Sequence, residues 1–120
     1  MKFLTRKLVQ PQHLNANNTL FGGICMSWID EEAAIFAVTE MGTTRVVTKK
    51  MSEINFIAPA LQGDIVEIGV DLKRVGKTSI TFCVEVRNLM TQNVIVKIDE
   101  VVFVALDENG IPTKHALSTK

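Results

Sequence analysis

The segment from Asn15 to Asp30 contains the residue types of this chain that are best suited to chemistry. Two consecutive glycines, Gly22 and Gly23, precede an apolar stretch with the composition of a helix. The first backbone N–H groups of a helix have no partner within the helix, so they can polarise a carbonyl oxygen or hold an anion. Asp30 follows Gly23 at heptad spacing, which places both near the same helical face. The spacing predicts a donor site and a carboxylate positioned by one helix.

Each of these residues also has a purely structural interpretation. The glycines would let a helix begin close against a sheet, because they lack a Cβ. Asn15 has a side chain that readily turns or caps a loop. Acids such as Asp30, here followed by Glu31 and Glu32, are common near helix starts because they interact favourably with the helix dipole. For Asn15 and Asp30 taken singly the structural interpretation is the more common one, and only their joint spacing around the Phe-Gly-Gly corner favours a site.

The composition fits one compact domain over residues 1–120. Hydrophobic residues make up 47% of the chain, enough for a single core at this length. The 13 basic and 13 acidic residues cancel, so no overall field attracts nucleic acid or an anionic membrane, and an anionic ligand has to be met by a local cluster. No apolar run reaches the length of a membrane span or of a signal peptide, so we expect a cytoplasmic location.

The two cysteines, Cys25 and Cys83, lie in apolar stretches. They form no Cys-x-x-Cys pair and no cluster with histidine of the kind that binds zinc. We interpret both as buried, reduced side chains, and we expect neither a metal nor a bound redox cofactor.

Apolar periodicity predicts one strand, one long helix and four further strands. The predicted strands cover residues 3–9, 45–56, 66–72, 80–86 and 94–106. Residues 22 to about 39 are apolar around most of the circumference, which predicts a helix covered on most sides. Short turns between the later strands favour an antiparallel sheet of five strands wrapped around that helix. Residues 113–120 are expected to form a peripheral tail.

These segments resemble a known family, the hotdog-fold acyl-CoA thioesterases, in particular the small bacterial hydrolases that are also similar to each repeat of the mammalian cytosolic enzymes. The family's asparagine, its Phe-Gly-Gly corner and its acid in the following helix are matched by Asn15, Phe21, Gly22, Gly23 and Asp30. A second motif, Phe-x-x-Pro-x-x-x-Gly-Asp, is matched by Phe56, Pro59, Gly63 and Asp64. The resemblance spans about residues 8–112 and implies an α+β hotdog fold.

One position departs from the family pattern. The glycine usually found three residues after the motif asparagine is Asn18 here. Asparagine tolerates a positive φ better than other residues with a side chain, so we expect the turn to be kept.

The resemblance implies a role for each motif residue in acyl-CoA hydrolysis. Asp30 would act as general base or as nucleophile, the two remaining open, and Asn15 would orient the water or the thioester. The backbone at Gly22 and Gly23, with Phe21, would form the oxyanion and substrate site. In this family the loop of one subunit approaches the helix of its neighbour, so Asn15 and Asp30 of one site are expected to come from different chains.

A local basic cluster for coenzyme A is expected around the turn at Gly76. Lys73, Arg74 and Lys77 supply the charge, and they have an equally good interpretation as solvated hairpin charges. The resemblance implies that this hairpin runs along the pantetheine arm. The expected contacts with coenzyme A are therefore Arg74, Gly76, Lys77, Thr78 and Ser79.

Self-association is the remaining expectation about partners. An open sheet leaves unpaired edges, which a dimer, a tetramer or a trimer of dimers would cover. No nucleic acid or membrane partner is expected. Two other functions stay open: a non-catalytic acyl-CoA-binding or sensing module, and another hotdog enzyme such as an acyl-CoA hydratase. The hydratases usually pair an aspartate with a nearby histidine, and no histidine follows Asp30 in the predicted helix.

Overall fold

The computed structural model of the chain describes residues 1–118. Its elements are β1 (Lys2–Leu8), α1 (Gly22–Met41), β2 (Val46–Met51), β3 (Ile54–Phe56), β4 (Ile65–Val75), β5 (Ser79–Asn88) and β6 (Val94–Ala105), with a 3-10 turn at Pro11–His13 before the helix. No helix in the described part of the chain is long and apolar enough to span a membrane.

All of these strands pair in one antiparallel sheet. The strand order is β1-β4-β5-β6-β2, and β3 pairs with β6 outside this path. The antiparallel sheet with one long helix confirms the predicted architecture. The sheet has six strands, one more than predicted.

The extra strand arises because the predicted strand over residues 45–56 is divided into β2 and β3. Strand β6 has a bulge at 99–100, where its pairing with β5 shifts register between Phe82 and Val84. The Ser52 N–H donates to the Glu100 carbonyl at 2.8 Å, and the Ser52 hydroxyl accepts the Glu100 N–H at 3.0 Å. The break therefore follows from a bulge in the partner strand, which the periodicity of residues 45–56 cannot reveal.

One face of α1 packs against the sheet. The buried apolar residues of that face are Cys25, Ile29, Ala33, Ala37 and Met41, at the spacing of one helical stripe. Apolar residues elsewhere on the helix are only partly covered, and the Ile35 side chain is 54% exposed. The sheet of this chain therefore leaves an apolar outer face on the helix.

Strand β2 has a bulge of its own at Lys49. Its pairing with β6 shifts register between Thr48 and Lys50. Thr48 is hydrogen-bonded to Asp30 on α1 and Met51 packs against the core. Thr48, Lys49 and Lys50 are all exposed in the single chain. Strict alternation would place Lys50 on the face of Thr48. The extra residue keeps both lysines away from the helix.

Residues with a positive φ occur on both sides of α1, in the loop before it and at its C-terminal end. Asn18 has φ +60°, which confirms that this asparagine takes the left-handed conformation usually left to glycine. Gly42 ends α1 with φ +71°, and its N–H donates to the Val38 carbonyl.

The C-terminal segment 113–118 lies against the turn between β4 and β5. His115 is buried, and its Nε2 lies 3.1 Å from the Gly76 carbonyl and 2.9 Å from the Ser79 carbonyl. The Ala116 N–H donates to the carbonyl of Met41, the last residue of α1. The segment thus joins the turn to the C-terminal end of the helix; residues 119–120 of the expected tail lie outside the described residues.

Candidate functional site

The N-terminus of α1 has no side-chain cap. Phe21 is the N-cap residue, with extended φ −66° and ψ 130°, and it makes no side-chain cap hydrogen bond. The backbone N–H groups of Gly22 and Gly23 belong to the first turn, where the helix itself offers no acceptor. Together with the positive end of the helix dipole, they can stabilise negative charge.

The two glycines also make room for aromatic rings of the same chain. A Cβ on Gly22 would lie 3.2 Å from Cζ of Phe56, and one on Gly23 would lie 2.8 Å from Cε2 of Phe21. The absence of a Cβ at both glycines therefore serves packing, as their structural interpretation predicts. This packing is compatible with a role for their N–H groups.

A hollow of about 420 Å³ opens at this helix end. It is lined by Asn15, Thr19, Leu20, Gly22, Cys25, Phe56, Ile57, Ala58, Pro59, Ala60, Ile95 and Val96. Its size is within the range of small-molecule sites. The structure thus brings Asn15 and Gly22 to one cavity, as the sequence predicts, whereas Asp30 is not among the lining residues.

The Asn15 side chain organises its own loop. Its Oδ1 accepts the N–H groups of Asn17 at 2.9 Å and of Thr19 at 3.1 Å, and its Nδ2 donates to the Thr19 hydroxyl at 3.0 Å. An amide NH₂ has two hydrogens, so one remains for a second acceptor in the hollow. The turn-forming interpretation of Asn15 therefore holds, and it leaves room for a contact with substrate.

Asp30 lies on α1 opposite β2, where the Thr48 hydroxyl donates to its Oδ1 at 2.6 Å. Thr48 was not predicted as a site residue, because its contact joins it to a residue 18 positions away. The sequence does contain a signal for its direction: Thr48 lies two positions after Val46, which packs against the core, so it shares the inward face. Thr48 fixes one carboxylate oxygen of Asp30 and leaves the other available.

Asp30 and the helix N-terminus are too far apart to contact one atom. With a rise of 1.5 Å per residue, the seven positions between Gly23 and Asp30 correspond to about 10 Å along the axis. The predicted common helical face is therefore not by itself a common site.

The predicted coenzyme A residues lie at the other end of the helix. The Gly76 N–H donates to the Ser79 carbonyl at 2.9 Å, the Thr78 carbonyl accepts the Ala105 N–H at 2.9 Å, and Lys77 is exposed. Because residues 115–116 join this turn to Met41, it is about 30 Å, the length of α1, from Gly22 of the same chain.

The positive charge of this turn is partly neutralised. The Arg74 guanidinium donates to the Glu100 carboxylate at 2.8 Å, and Lys73 lies 3.4 Å from the same oxygen. The hydrogen bond from Arg74, with a weaker one from Lys73, holds the pKa of Glu100 below its usual value. Lys77 forms no ion pair among the described residues, so it is the cation of the cluster best able to meet a phosphate.

Two further local features complete the surroundings of the helix N-terminus. The Phe21 N–H donates to the His13 carbonyl at 2.8 Å, and the His13 ring meets the Trp28 ring edge-on at 4.9 Å between centroids. These contacts hold the loop against α1. Within residues 1–118, His, Cys, Asp and Glu side chains form no cluster of three or more able to hold a metal ion.

The two cysteines should differ in reactivity. Burial raises the pKa of the Cys25 thiol to about 12, and burial together with the nearby Asp71 also raises the pKa of Cys83, which is less deeply covered. Because the thiolate is the reactive form, we expect an aromatic disulfide reagent at pH 8 to modify Cys83 first and Cys25 slowly. Peptide mass analysis of the labelled protein measures the order, and equal labelling in denaturant is the control; faster labelling of Cys25 in the folded protein would contradict its burial.

Comparison with known proteins is consistent with this geometry. The thioesterase superfamily matches residues 17–95. An uncharacterised acyl-CoA thioester hydrolase from Haemophilus influenzae is 42% identical over 83 residues, which are 69% of this chain and 53% of that protein. The chain therefore spans only about half the length of this curated relative.

Two solved structures show the same fold. A hexameric thioesterase from Yersinia pestis superimposes with a TM-score of 0.86 at 30% identity, covering 95% of this chain and 94% of that one. An acyl-CoA hydrolase from Staphylococcus aureus, solved with butyryl coenzyme A and coenzyme A, gives a TM-score of 0.83 at 32% identity, covering 92% and 66%. The predicted hotdog fold is confirmed, and with the match over residues 17–95 this chain belongs to the thioesterase superfamily.

Proposed function

We propose that this protein hydrolyses acyl-CoA thioesters. The observation that carries the proposal is the uncapped, glycine-flanked N-terminus of α1, which opens into the hollow beside Asn15. The relatives support the same activity, since the Haemophilus influenzae protein is named an acyl-CoA thioester hydrolase and the Staphylococcus aureus protein an acyl-CoA hydrolase.

In the proposed reaction, water and the thioester give a carboxylic acid and the free thiol of coenzyme A. The thioester carbonyl oxygen accepts hydrogen bonds from the N–H groups of Gly22 and Gly23, which stabilise its charge as the tetrahedral intermediate forms. Asp30 either removes a proton from the attacking water or attacks the carbonyl carbon itself. The C–S bond then breaks, and the sulfur leaves as thiolate and takes up a proton. If Asp30 is the nucleophile, this step leaves the acyl group on its carboxylate as a mixed anhydride, which water then hydrolyses to the carboxylic acid and free Asp30.

Each site is proposed to combine two subunits. Reacting groups must lie about 3–3.5 Å apart, whereas Asp30 is about 10 Å along the axis from Gly23 of its own helix. One subunit would therefore contribute Gly22, Gly23, Phe21 and Asn15, and its partner would contribute Asp30 with Thr48.

The uncovered surfaces of the chain support this pairing. Strand β2 is the last strand in the sheet order, and its Val47 side chain is 44% exposed. Ile35 on the adjacent helix is 54% exposed. A second copy placed along β2 would cover both and would bring two α1 helices together. The hexameric neighbour from Yersinia pestis favours three such dimers over an isolated dimer or a tetramer.

The Staphylococcus aureus structures add support for the two key side chains. They include variants in which one aspartate and one asparagine are replaced by alanine. That asparagine precedes that aspartate by the same number of positions as Asn15 precedes Asp30. A third variant replaces a threonine, the residue type that Thr48 supplies beside Asp30.

Coenzyme A itself is proposed to lie along the turn between β4 and β5 of a neighbouring subunit. The hydroxyl groups of Thr78 and Ser79 would contact coenzyme A beside the turn at Gly76, and Lys77 and Arg74 would meet phosphate. Because this turn lies about 30 Å from Gly22 of its own chain, it would serve the hollow of a different chain.

The direct test is the release of free thiol from a panel of short- and long-chain acyl-CoAs, followed with a thiol reagent. Turnover of at least part of the panel is expected. If the protein binds coenzyme A but hydrolyses no chain length, it is a binding or sensing module; hydration of an enoyl-CoA without thiol release would identify a hydratase.

The shared site predicts recovery of activity when two inactive variants are combined. Asp30→Asn and Gly22→Pro each remove a different half of the site, so each is expected to be nearly inactive alone. Co-expressed with different affinity tags, the two chains form mixed dimers that contain one intact and one doubly altered site. Random pairing then restores about a quarter of the wild-type activity.

Two copies of Asp30→Asn with the same two tags are the control for co-expression. Absence of recovery in purified mixed oligomers would show that each chain contains a complete site. A monomeric mass of the wild-type protein in solution would equally contradict the shared site.

A further inference from the structure

We infer that the hollow at the N-terminus of α1 takes the acyl chain, and that Ala60 and Cys25 at its floor set the chain length the protein accepts. This inference rests on the proposed function. It concerns the same site and adds which part of the substrate the hollow holds.

The lining of the hollow fits hydrocarbon. None of its lining residues carries a charge, and the polar side chains among them, Asn15 and Thr19, are bonded to each other. The phosphates of coenzyme A therefore find no charged partner in the hollow. An alkyl chain needs no hydrogen-bond partner there, and its transfer from water into an apolar site is favourable. The carbonyl end of such a chain would meet the N–H groups of Gly22 and Gly23 at the helix start.

The hollow has an open rim and a closed floor. Phe56 and Ile57 at the rim are 58% and 56% exposed. Cys25, Ala60 and Val96 are each about 1% exposed and belong to the core. An acyl chain that enters between the two rim residues therefore ends against the sulfur atom of Cys25 and the methyl groups of Ala60 and Val96.

The floor is held by backbone hydrogen bonds. The Leu20 N–H donates to the Ala60 carbonyl at 2.8 Å, and the N–H groups of Ile57 and Ala58 both donate to the Ile95 carbonyl, at 2.8 and 3.3 Å. Because the backbone at Ala60 is fixed on the loop side, a larger side chain there must extend into the hollow. Small residues at positions 25 and 60 thus define its depth.

The test compares thiol release from acetyl-CoA with release from acyl-CoAs of increasing length. In Ala60→Val the kcat/KM for the longest chain that the wild type accepts is expected to fall about tenfold relative to acetyl-CoA, since one methylene in an apolar pocket discriminates by about 10–200-fold. Cys25→Ala deepens the floor and is expected to shift the preference toward longer chains. This second variant keeps the test valid if Ala60→Val does not fold.

Ala105→Val is the matched control. Ala105 is equally buried, and it lies on β6 beside Thr78, at the far end of the helix from Gly22. Its chain-length preference is expected to equal that of the wild type; a shift of the same size would mean that any overpacked core changes the preference, and would overturn the inference. An unchanged preference in both Ala60→Val and Cys25→Ala would overturn it as well. A wild type that hydrolyses no acyl-CoA would instead overturn the proposed function.

Discussion

Asp30→Asn is expected to lower kcat for acyl-CoA hydrolysis by about 10²–10⁴-fold, the usual contribution of a positioned general acid or base. The amide can neither accept the proton of water as a carboxylate does nor attack the thioester efficiently. Its Oδ1 can still accept the hydrogen bond that Thr48 now donates to Asp30 at 2.6 Å, so the variant should keep the local structure. Steady-state thiol release, with the thermal midpoint of unfolding measured beside it, separates loss of chemistry from loss of fold.

Glu31→Gln provides the matched control for this variant. It removes the neighbouring carboxylate of the same helix, and Glu31 is exposed. Its activity is expected to stay close to that of the wild type, because a surface charge contributes little at this distance from the reacting atoms. Near-normal turnover of Asp30→Asn would show that the site is assigned wrongly, even if the protein is a thioesterase.

Gly22→Pro is expected to lower kcat about 10²-fold, since this is the cost of one donor in other oxyanion sites. Proline is well tolerated at the first position of a helix, where its missing N–H has no partner within the helix. The residue before it must be extended, and Phe21 already has ψ 130°. The substitution therefore removes one proposed donor with little change in the backbone, and pre-steady-state kinetics on a good substrate would measure the loss.

Gly22→Ala separates the donor from the space around it. Alanine keeps the N–H, and its Cβ would lie 3.2 Å from the ring of Phe56, which is exposed enough to shift. We expect most of the activity to remain. If Gly22→Ala is as impaired as Gly22→Pro, crowding by the new Cβ and not the lost donor explains the effect.

Local signals predicted much of this fold. The alternation of the later strands, the apolar helix and the turn at Gly42 each depend on neighbouring residues, and each occurs near its predicted place. Asn18 adopted the positive φ expected of a residue in a glycine position. Two features depend on partners distant in sequence and were missed: the division of β2 from β3, and the contact of Thr48 with Asp30 across 18 positions.

The candidate site was predictable in its parts more than in its arrangement. The sequence motif identified Asn15, Gly22 and Asp30, and the structure places the first two at one hollow. Periodicity placed Asp30 and Gly23 on the same face of the helix. It did not show that their separation along the axis is too great for both to contact one atom. Likewise the cluster at Arg74 was visible in sequence, whereas its partner Glu100 lies 26 positions away.

The bulge at Lys49 makes β2 tolerant of the loss of one residue at that position. Lys49 itself is exposed, so many side chains would serve there. Without it, Lys50 and Met51 would keep their pairing with Val102 and Val101, and regular alternation would leave Lys50 pointing away from the helix and Met51 toward the core. Among descendants of this gene, substitutions and single-residue deletions at position 49 should therefore be frequent, whereas a deletion of Val47, which would put Val46 and Thr48 on opposite faces, should be rare.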